Sequence, residues 1–546
     1  MKEKKLRIIP LGGLGEVGKN MMAYEYDGRI LIVDTGLMFP ENDMLGIDYI
    51  IPDFSYLLDK KDKVDGIVIT HGHEDHTGAI HHVLQEINAP IYATPLTRGL
   101  VEMKLGRNGL ASRAVLNTVH AGDTVQIGPF SVEFFHVCHS IPDGVGLGIT
   151  TPLGLIVHSG DYKFDHTPVD GWPSDYAKLA EFSSRGVLAL LSDSTNAERH
   201  GWTPSEKVID AAFQKVFREA KDRIIIVSFA SLISRMQQAA NVAKEFGRKI
   251  AFAGVSMVDN AKMAGKLGYL DIPEGVLIPI DQALTMPGKD VVIMCTGSQG
   301  EPSSILGRLS MGTNRQFDIK EGDTIVLSSH PIPGNEESIY RMINRLFERG
   351  ANVIYEAIAN VHVSGHASQE EMKLLLHLVQ PKYFIPIHGE LRQLKQHALL
   401  AQDIGIDVDK IMVTENGQII EISEHGMKLA EKVPAGYVYV DGSGVGDVSE
   451  DIMRERETLA RDGIVLLNIN VDRFTGEVLG EPEVFSRGFI SPRENMELYS
   501  GLKKKILESI KRIGSKDKNE IEQACRTYIN SETRRRPVVI ATIGRS

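Results

Sequence analysis

An apolar strand that runs directly into three imidazoles and a carboxylate leaves a fold few options. The segment Val68-Ile69-Thr70-His71-Gly72-His73-Glu74-Asp75-His76 does this within nine residues. Successive side chains alternate sides along an extended chain, so His71 and His73 point the same way where the strand Ile67 to Thr70 ends. Asp75 and His76 follow as the backbone turns into a helix beginning near Thr77, which swings a second pair of donors round the same point. Imidazole nitrogen and carboxylate oxygen suit zinc or manganese, and no cysteine stands close enough for a closed thiolate site. Coordination positions left open imply catalysis. The plain alternative is a set of surface histidines with Asp75 as a first-turn carboxylate favoured by the helix dipole. It requires four ligand positions to match a fixed spacing by chance.

The rest of the chain must supply a frame for that pocket. At 546 residues and 42% hydrophobic it suits two to four domains. No apolar run reaches the roughly 18 residues that span a bilayer, and the charged start leads into a short strand rather than a secretory signal. A cytoplasmic protein without a membrane partner is expected. Cys138, Cys295 and Cys525 are odd in number and far apart, which argues against a disulfide framework and for a reducing compartment. The formal net charge of −12 counts against a nucleic-acid partner, whose binders carry a basic face. Bound divalent ions and local Arg or Lys clusters offset such a total, so charge alone excludes neither RNA nor DNA.

Short apolar strands at Leu6 to Pro10, Ile30 to Asp34, Gly66 to Thr70, Phe130 to His136 and Gly154 to His158 predict a sheet-rich α/β unit over residues 1–200. From 201 to 355 helices and strands alternate, as in a parallel sheet with crossover helices: helix Thr203 to Ala220, strand Arg223 to Phe229, helix Arg235 to Phe246, strand Ile250 to Gly254. Thr203-Pro204-Ser205-Glu206 reads as the start of the first of these helices, with Thr at the cap and Glu three residues on. Histidine and glycine return over 356–435, so the alternating block is expected to be an insertion into one metal-binding domain. A glycine-rich linker at 436–455 and a small α/β domain at 456–546 complete the expected layout.

Three further strand ends carry donors. They are His139 in Phe135-His136-Val137-Cys138-His139-Ser140, Asp161 in His158-Ser159-Gly160-Asp161, and His388 in Pro386-Ile387-His388-Gly389-Glu390. Two metals about 3.5 to 4 Å apart need a bridging carboxylate and more imidazoles than one loop supplies. Together these motifs resemble the metallo-β-lactamase fold. Leu191-Ser192-Asp193-Ser194-Thr195-Asn196, Ser329-His330-Pro331-Ile332-Pro333-Gly334-Asn335-Glu336 and His362-Val363-Ser364-Gly365-His366-Ala367 narrow the resemblance to its β-CASP branch and, along essentially the whole chain, to the ribonuclease J family.

The resemblance implies an αββα sandwich with an inserted β-CASP α/β domain and a small C-terminal α/β domain. It implies one metal on His71, His73 and His139 and another on Asp75, His76 and His388, with Asp161 bridging. The ions would be two zincs, with manganese or magnesium as working alternatives, and a hydroxide between them would attack the phosphodiester. Asp75, His366 and Asp193 are the catalytic candidates, His366 serving the leaving 3′ oxygen and Asp193 orienting it. Substrate contacts fall to His362, Val363, Ser364, Gly365 and His366, and to a 5′-monophosphate pocket at Ser231, Leu232 and Ile233. Gly72 and Gly160 would give the backbone room beside the ions. A structural calcium is expected at Asp441 and the carbonyls around Leu45 and Ile47. The implied activity is endonucleolytic and 5′-to-3′ exonucleolytic cleavage of single-stranded RNA, by a homodimer or homotetramer working with other RNA-decay proteins.

Two features are expected to be decoys. Gly13-Leu14-Gly15-Glu16-Val17-Gly18 matches a dinucleotide fingerprint, but Met21 to Tyr26 reads as a strand where that motif requires a helix. Thr533-Arg534-Arg535-Arg536-Pro537 reads as a solvated helix end rather than an RNA patch. The main enzymatic rival is a lactonase, thioesterase or β-lactamase on the same fold, against which the insertion speaks. A catalytically silent RNA-binding subunit that assembles with an active paralogue is the rival of another class, and the full set of seven donors speaks against it.

Overall fold

The computed structural model describes residues 4–41, 43–332, 334–475, 477–491, 493, 495–513 and 517–545. Pro333, within the 329–336 signature, lies outside the described residues. The chain divides into two compact units, one of residues 1–39 and 49–438, the other of 40–48 and 439–546.

In the larger unit, strand alternation builds a four-layer sandwich. Leu6 and Ile8 of the strand Leu6–Gly12 face one apolar cluster, while Ile9 and Leu11 face another. The first cluster is the core between an eight-stranded and a six-stranded sheet, to which Phe130, Val132 and Phe134 contribute from the second sheet. The second cluster lies under helices Ile80–Glu86 and Pro95–Arg107. Phe135 and Leu190 point out of the six-stranded sheet to a third cluster, under helices Tyr176–Arg185, Gln369–Val379 and Leu391–Asp403. Helix, sheet, sheet and helix therefore stack in that order, the αββα arrangement, with each layer set by period-2 patterning. The fingerprint-like loop at 13–18 joins antiparallel strands Leu6–Gly12 and Met21–Tyr26, as the missing helix foretells.

The insertion is a five-stranded parallel sheet with crossover helices. Strands Ile224–Val227 and Thr324–Leu327 pair at its middle, with Val291–Cys295 then Lys249–Phe252 on one side and Asn352–Ile354 on the other. The expected helix start at Thr203 does not form. The helix runs Val208–Glu219, because the capping atoms are claimed by tertiary partners. The Thr203 hydroxyl donates to His366 O at 2.7 Å, its N–H donates to Glu371, and Glu206 pairs with the buried Arg235.

In the smaller unit, the strand Ile464–Val471 pairs antiparallel with Glu483–Arg487 and parallel with Val538–Arg545. Val465, Leu467, Ile469 and Val471 pack on helices Met496–Ile513 and Lys518–Thr533. Within 439–455, the strand Gly444–Val445 pairs back on residues 440–441, and the helix Glu450–Asp462 begins at a Ser449 cap. Among the described residues no helix is long and apolar enough to cross a membrane.

Candidate metal centre

The donors converge from the C-terminal ends of strands in both sheets. The strand Val64–Val68 releases His71 and His73, and a short helix, Glu74–Thr77, carries Asp75 and His76. The helix thus begins three residues before the expected Thr77, with His73 as its N-cap, so the second donor pair rides on it rather than preceding it. From the six-stranded sheet, Phe130–His136, Gly154–His158 and Tyr383–Ile387 lead to His139, Asp161 and His388.

His71 Nε2 and His139 Nε2 each lie 3.1 Å from His73 Nδ1. Asp75 Oδ2 lies 3.3 Å from His388 Nε2 and 3.5 Å from His76 Nε2. Asp161 stands between the groups: its Oδ2 is 3.6 Å from His71 Nε2, 3.3 Å from His76 Nε2 and 3.8 Å from His139 Nε2, and its Oδ1 is 3.6 Å from His388 Nε2. All seven side chains expected as ligands are therefore in one place, as two clusters sharing a carboxylate. Donors at about 2.0–2.1 Å from a tetrahedral ion sit about 3.3 Å from one another, a spacing near those observed, so the donor set suits bound metal. Burial, joined by the nearby imidazoles, holds His71 and His139 well below the usual histidine range, and burial brings His73 down to about 4. His71, His73 and His139 are thus neutral donors, whereas against burial the neighbouring carboxylates, Asp161 foremost, hold His76 well above the histidine range and raise His388 to about 9, so a cation binding there displaces their protons.

Surrounding partners orient four of the five donor imidazoles. Asp34 Oδ2 takes His76 Nδ1 at 2.8 Å, Thr195 Oγ1 meets His388 Nδ1 at 2.7 Å, and Thr70 Oγ1 meets His71 Nδ1 at 3.1 Å. His139 Nδ1 donates to Gly365 O at 2.8 Å. Asp34, Thr70, Thr195 and Asn20, whose Nδ2 lies 3.1 Å from His76 Nε2, escape a sequence reading. The one local signal is an aspartate ending the apolar strand Arg29–Val33, which adopts a positive φ of 62°. The glycine expectation is corrected: a side chain at Gly72 would meet Leu100 and Ile141, and one at Gly160 would meet Val145 O and Thr70, so neither makes room at the donors. Gly365 is the glycine that matters there, since a Cβ on it would stand 2.6 Å from the His139 ring.

His366 lies beside the centre, its ring 4.9 Å from that of His139 and its Nδ1 2.8 Å from Asp193 Oδ2. Burial opposes its protonation, but the Asp193 carboxylate outweighs it and raises His366 above the ordinary value. Asn196 Nδ2 donates to Ser364 Oγ at 2.8 Å and to His366 O at 3.0 Å, fixing the 362–366 segment. Ser231 and Leu232 precede the helix Ile233–Glu245, and Ile233 shares an apolar cluster with Val361 and Val363. Arg235, one turn on, donates to Val361 O at 3.1 Å. The calcium expectation fits poorly. In the smaller unit the Arg456 guanidinium donates to Leu45 O at 2.9 Å and pairs with Asp441 at 2.5 Å, so an arginine already supplies the cation there.

Fold and donors together define a metallo-β-lactamase-type metallohydrolase carrying a β-CASP insertion. Residues 14–194 match the metallo-β-lactamase superfamily, 221–346 the ribonuclease J β-CASP domain, 350–410 the Zn-dependent metallo-hydrolase RNA specificity domain, and 451–546 the ribonuclease J C-terminal domain. The chain is 43% identical to ribonuclease J 1 of Streptococcus pyogenes over 551 residues, covering 100% of this chain and 98% of that one. It is 40% identical to ribonuclease J2 of Bacillus subtilis, with 100% of both covered. It belongs to the ribonuclease J family. A crystal structure of a protein of unknown function from Enterococcus faecalis shares the fold over 76% of this chain, with a TM-score of 0.54 at 15% identity.

Proposed function

We propose that the chain is a metal-dependent ribonuclease that cuts single-stranded RNA internally and removes nucleotides from a 5′-monophosphorylated end. The observation that carries this reading is the pairing of a seven-donor centre with an Asp193–His366 dyad at its edge, in a chain whose residues 350–410 match an RNA specificity domain. Two zinc ions, with manganese or magnesium as alternatives, would be held by His71, His73, His139, Asp75, His76, His388 and Asp161, supplying Lewis acidity and a water of lowered pKa.

The chain's own groups do the rest. Asp193 accepts from His366 Nδ1 and favours the protonated ring, whose Nε2–H can protonate the leaving 3′ oxygen. Asp34, Thr195, Thr70 and Gly365 O hold the donor rings in place, so little reorganisation accompanies reaction. The Ser364 hydroxyl and the amide of Gly365 are suited to an anionic phosphate oxygen. The loop at Ser231 to Ile233, at a helix N-terminus, is our candidate for the 5′ monophosphate. Self-association as a homodimer or homotetramer draws support from the smaller unit, where Ile540, Leu466 and Phe485 lie side by side across the sheet and exposed. Three free, buried cysteines accord with a cytoplasmic setting.

The test uses 5′-labelled single-stranded RNA, with either a monophosphate or a triphosphate, incubated with wild type and His366→Ala in zinc and in manganese. Labelled mononucleotide from the monophosphate RNA alone, lost in His366→Ala, is the expected result. No cleavage of either RNA by metal-loaded wild type would sink the ribonuclease reading.

A further inference from the structure

A cavity of about 320 Å³ opens over the C-terminal ends of three parallel strands of the inserted sheet, Val291–Cys295, Thr324–Leu327 and Asn352–Ile354, where open α/β sheets bind ligands. Its floor is apolar, from Leu327, Ile339 and Ile343. Two rings wall it, Tyr340 and Tyr355, 6.4 Å apart and at 75° to each other. Ser298, Ser329, Glu336 and Glu356 add a few polar groups. That balance of apolar lining and sparse polar atoms, at this volume, is that of a small-ligand site.

One wall of the cavity is preformed. His330 Nδ1 lies 2.6 Å from Glu356, and the buried Gln299 side chain pins the loop by donating to His330 O at 2.8 Å and accepting from Ile332 N at 2.8 Å. The His330 ring stacks on that of His362, at 6.1 Å and 19°. Three residues separate His362 from His366, four Cα steps that span at most about 14 Å. The cavity is thus within reach of a strand lying at the centre.

We propose that this cavity is a nucleobase subsite that takes one unstacked base of a bound single strand and prefers bases with an exocyclic amino group over uracil. Its carboxylates repel phosphate, so the backbone is not what enters it. Aromatic walls take a base by its face, and a carboxylate accepts from an exocyclic amine at its edge. The proposal rests on the ribonuclease reading for its ligand, though its binding needs no metal.

The experiment measures fluorescence anisotropy of 3′-labelled oligo(A) and oligo(U) with EDTA-treated wild type, Tyr355→Ala, Tyr340→Ala and Glu336→Gln. Wild type should bind oligo(A) more tightly than oligo(U). Tyr355→Ala should weaken oligo(A) binding by about 5- to 150-fold, the worth of one stacked base. Glu336→Gln should narrow the preference, and in the metal-loaded enzyme KM should rise with kcat held. Tyr340 is 49% exposed, so its variant and Glu336→Gln serve if Tyr355→Ala fails to fold. Variants that bind both oligonucleotides as wild type does overturn the subsite, even while RNA is cut. A wild type that cuts no RNA yet loses oligo(A) binding on Tyr355→Ala overturns the ribonuclease reading and leaves the subsite standing.

Discussion

Two buried charge clusters lie in the larger unit, and they are balanced in opposite ways. Around Arg235, 1% exposed, every charge has a protein counter-charge: its guanidinium pairs with Glu206 at 2.7 Å, and Lys163 reaches Glu206 at 3.5 Å and Asp165 at 3.6 Å. At the metal centre, the ion-pair partners of Asp75 and Asp161 among the described residues are histidines alone. Burying carboxylates is expensive, and here the counter-charges are protons on His76 and His388 that an incoming ion can displace, whereas the Arg235 cluster is complete as folded. The complete cluster ties the insertion to the sandwich, while the other is the candidate metal centre.

Replacing His71 or Asp161 by alanine should lower RNA cleavage about 1,000-fold while the circular dichroism spectrum stays native. Activity within tenfold of wild type would break the contrast. At the complete cluster the expected loss is stability: Arg235→Met leaves Glu206 buried and under-paired and should cost about 3–5 kcal/mol in denaturant unfolding. That cost should be the same with and without EDTA, and an EDTA-dependent cost would show that the clusters are coupled. Metal removal tests the other side. Wild type should gain about 2.7 kcal/mol at a free metal concentration of a hundred times Kd, a gain absent from His71→Ala.

A further effect, modest per pH unit, concerns a buried histidine outside the donor set. His397 meets Ser194 Oγ at 3.0 Å through Nδ1, its Nε2 has no hydrogen-bond partner among the described residues, and burial brings it down to about 3. Its folded pKa lies below the ordinary 6.5, so the unfolded chain binds the proton first. Its contribution to stability is therefore present above 6.5 and lost as pH falls towards 3, at about 1.4 kcal/mol per pH unit. His397→Leu should flatten the fall in stability by that slope, and an unchanged slope would show that His397 titrates normally.

Much of the centre was legible from the chain because its chemistry is local. His71, His73, Asp75 and His76 fall within six residues, and His139, Asp161 and His388 each follow an apolar run that ends in a turn. The strand limits Phe130–His136 and Gly154–His158 were likewise written in their patterning. The Thr203 start misled because a local capping signal competes with long-range partners, and Glu206 is worth more to Arg235 than to a helix end. Asp34 and Thr195 could not be picked out, since their role depends on rings 42 and 193 positions away.

What the sequence determined alone is therefore the donor types, the alternation that sets two sheets face to face, and the helix-strand rhythm of the insertion. These depend on neighbours a few residues apart, where backbone geometry fixes direction. The tertiary structure decided which carboxylate stands between the two donor groups, which partner turns each imidazole, and where Gly365 presses on His139. Those contacts join residues from tens to hundreds of positions apart, and only the packing of both sheets brings their atoms together.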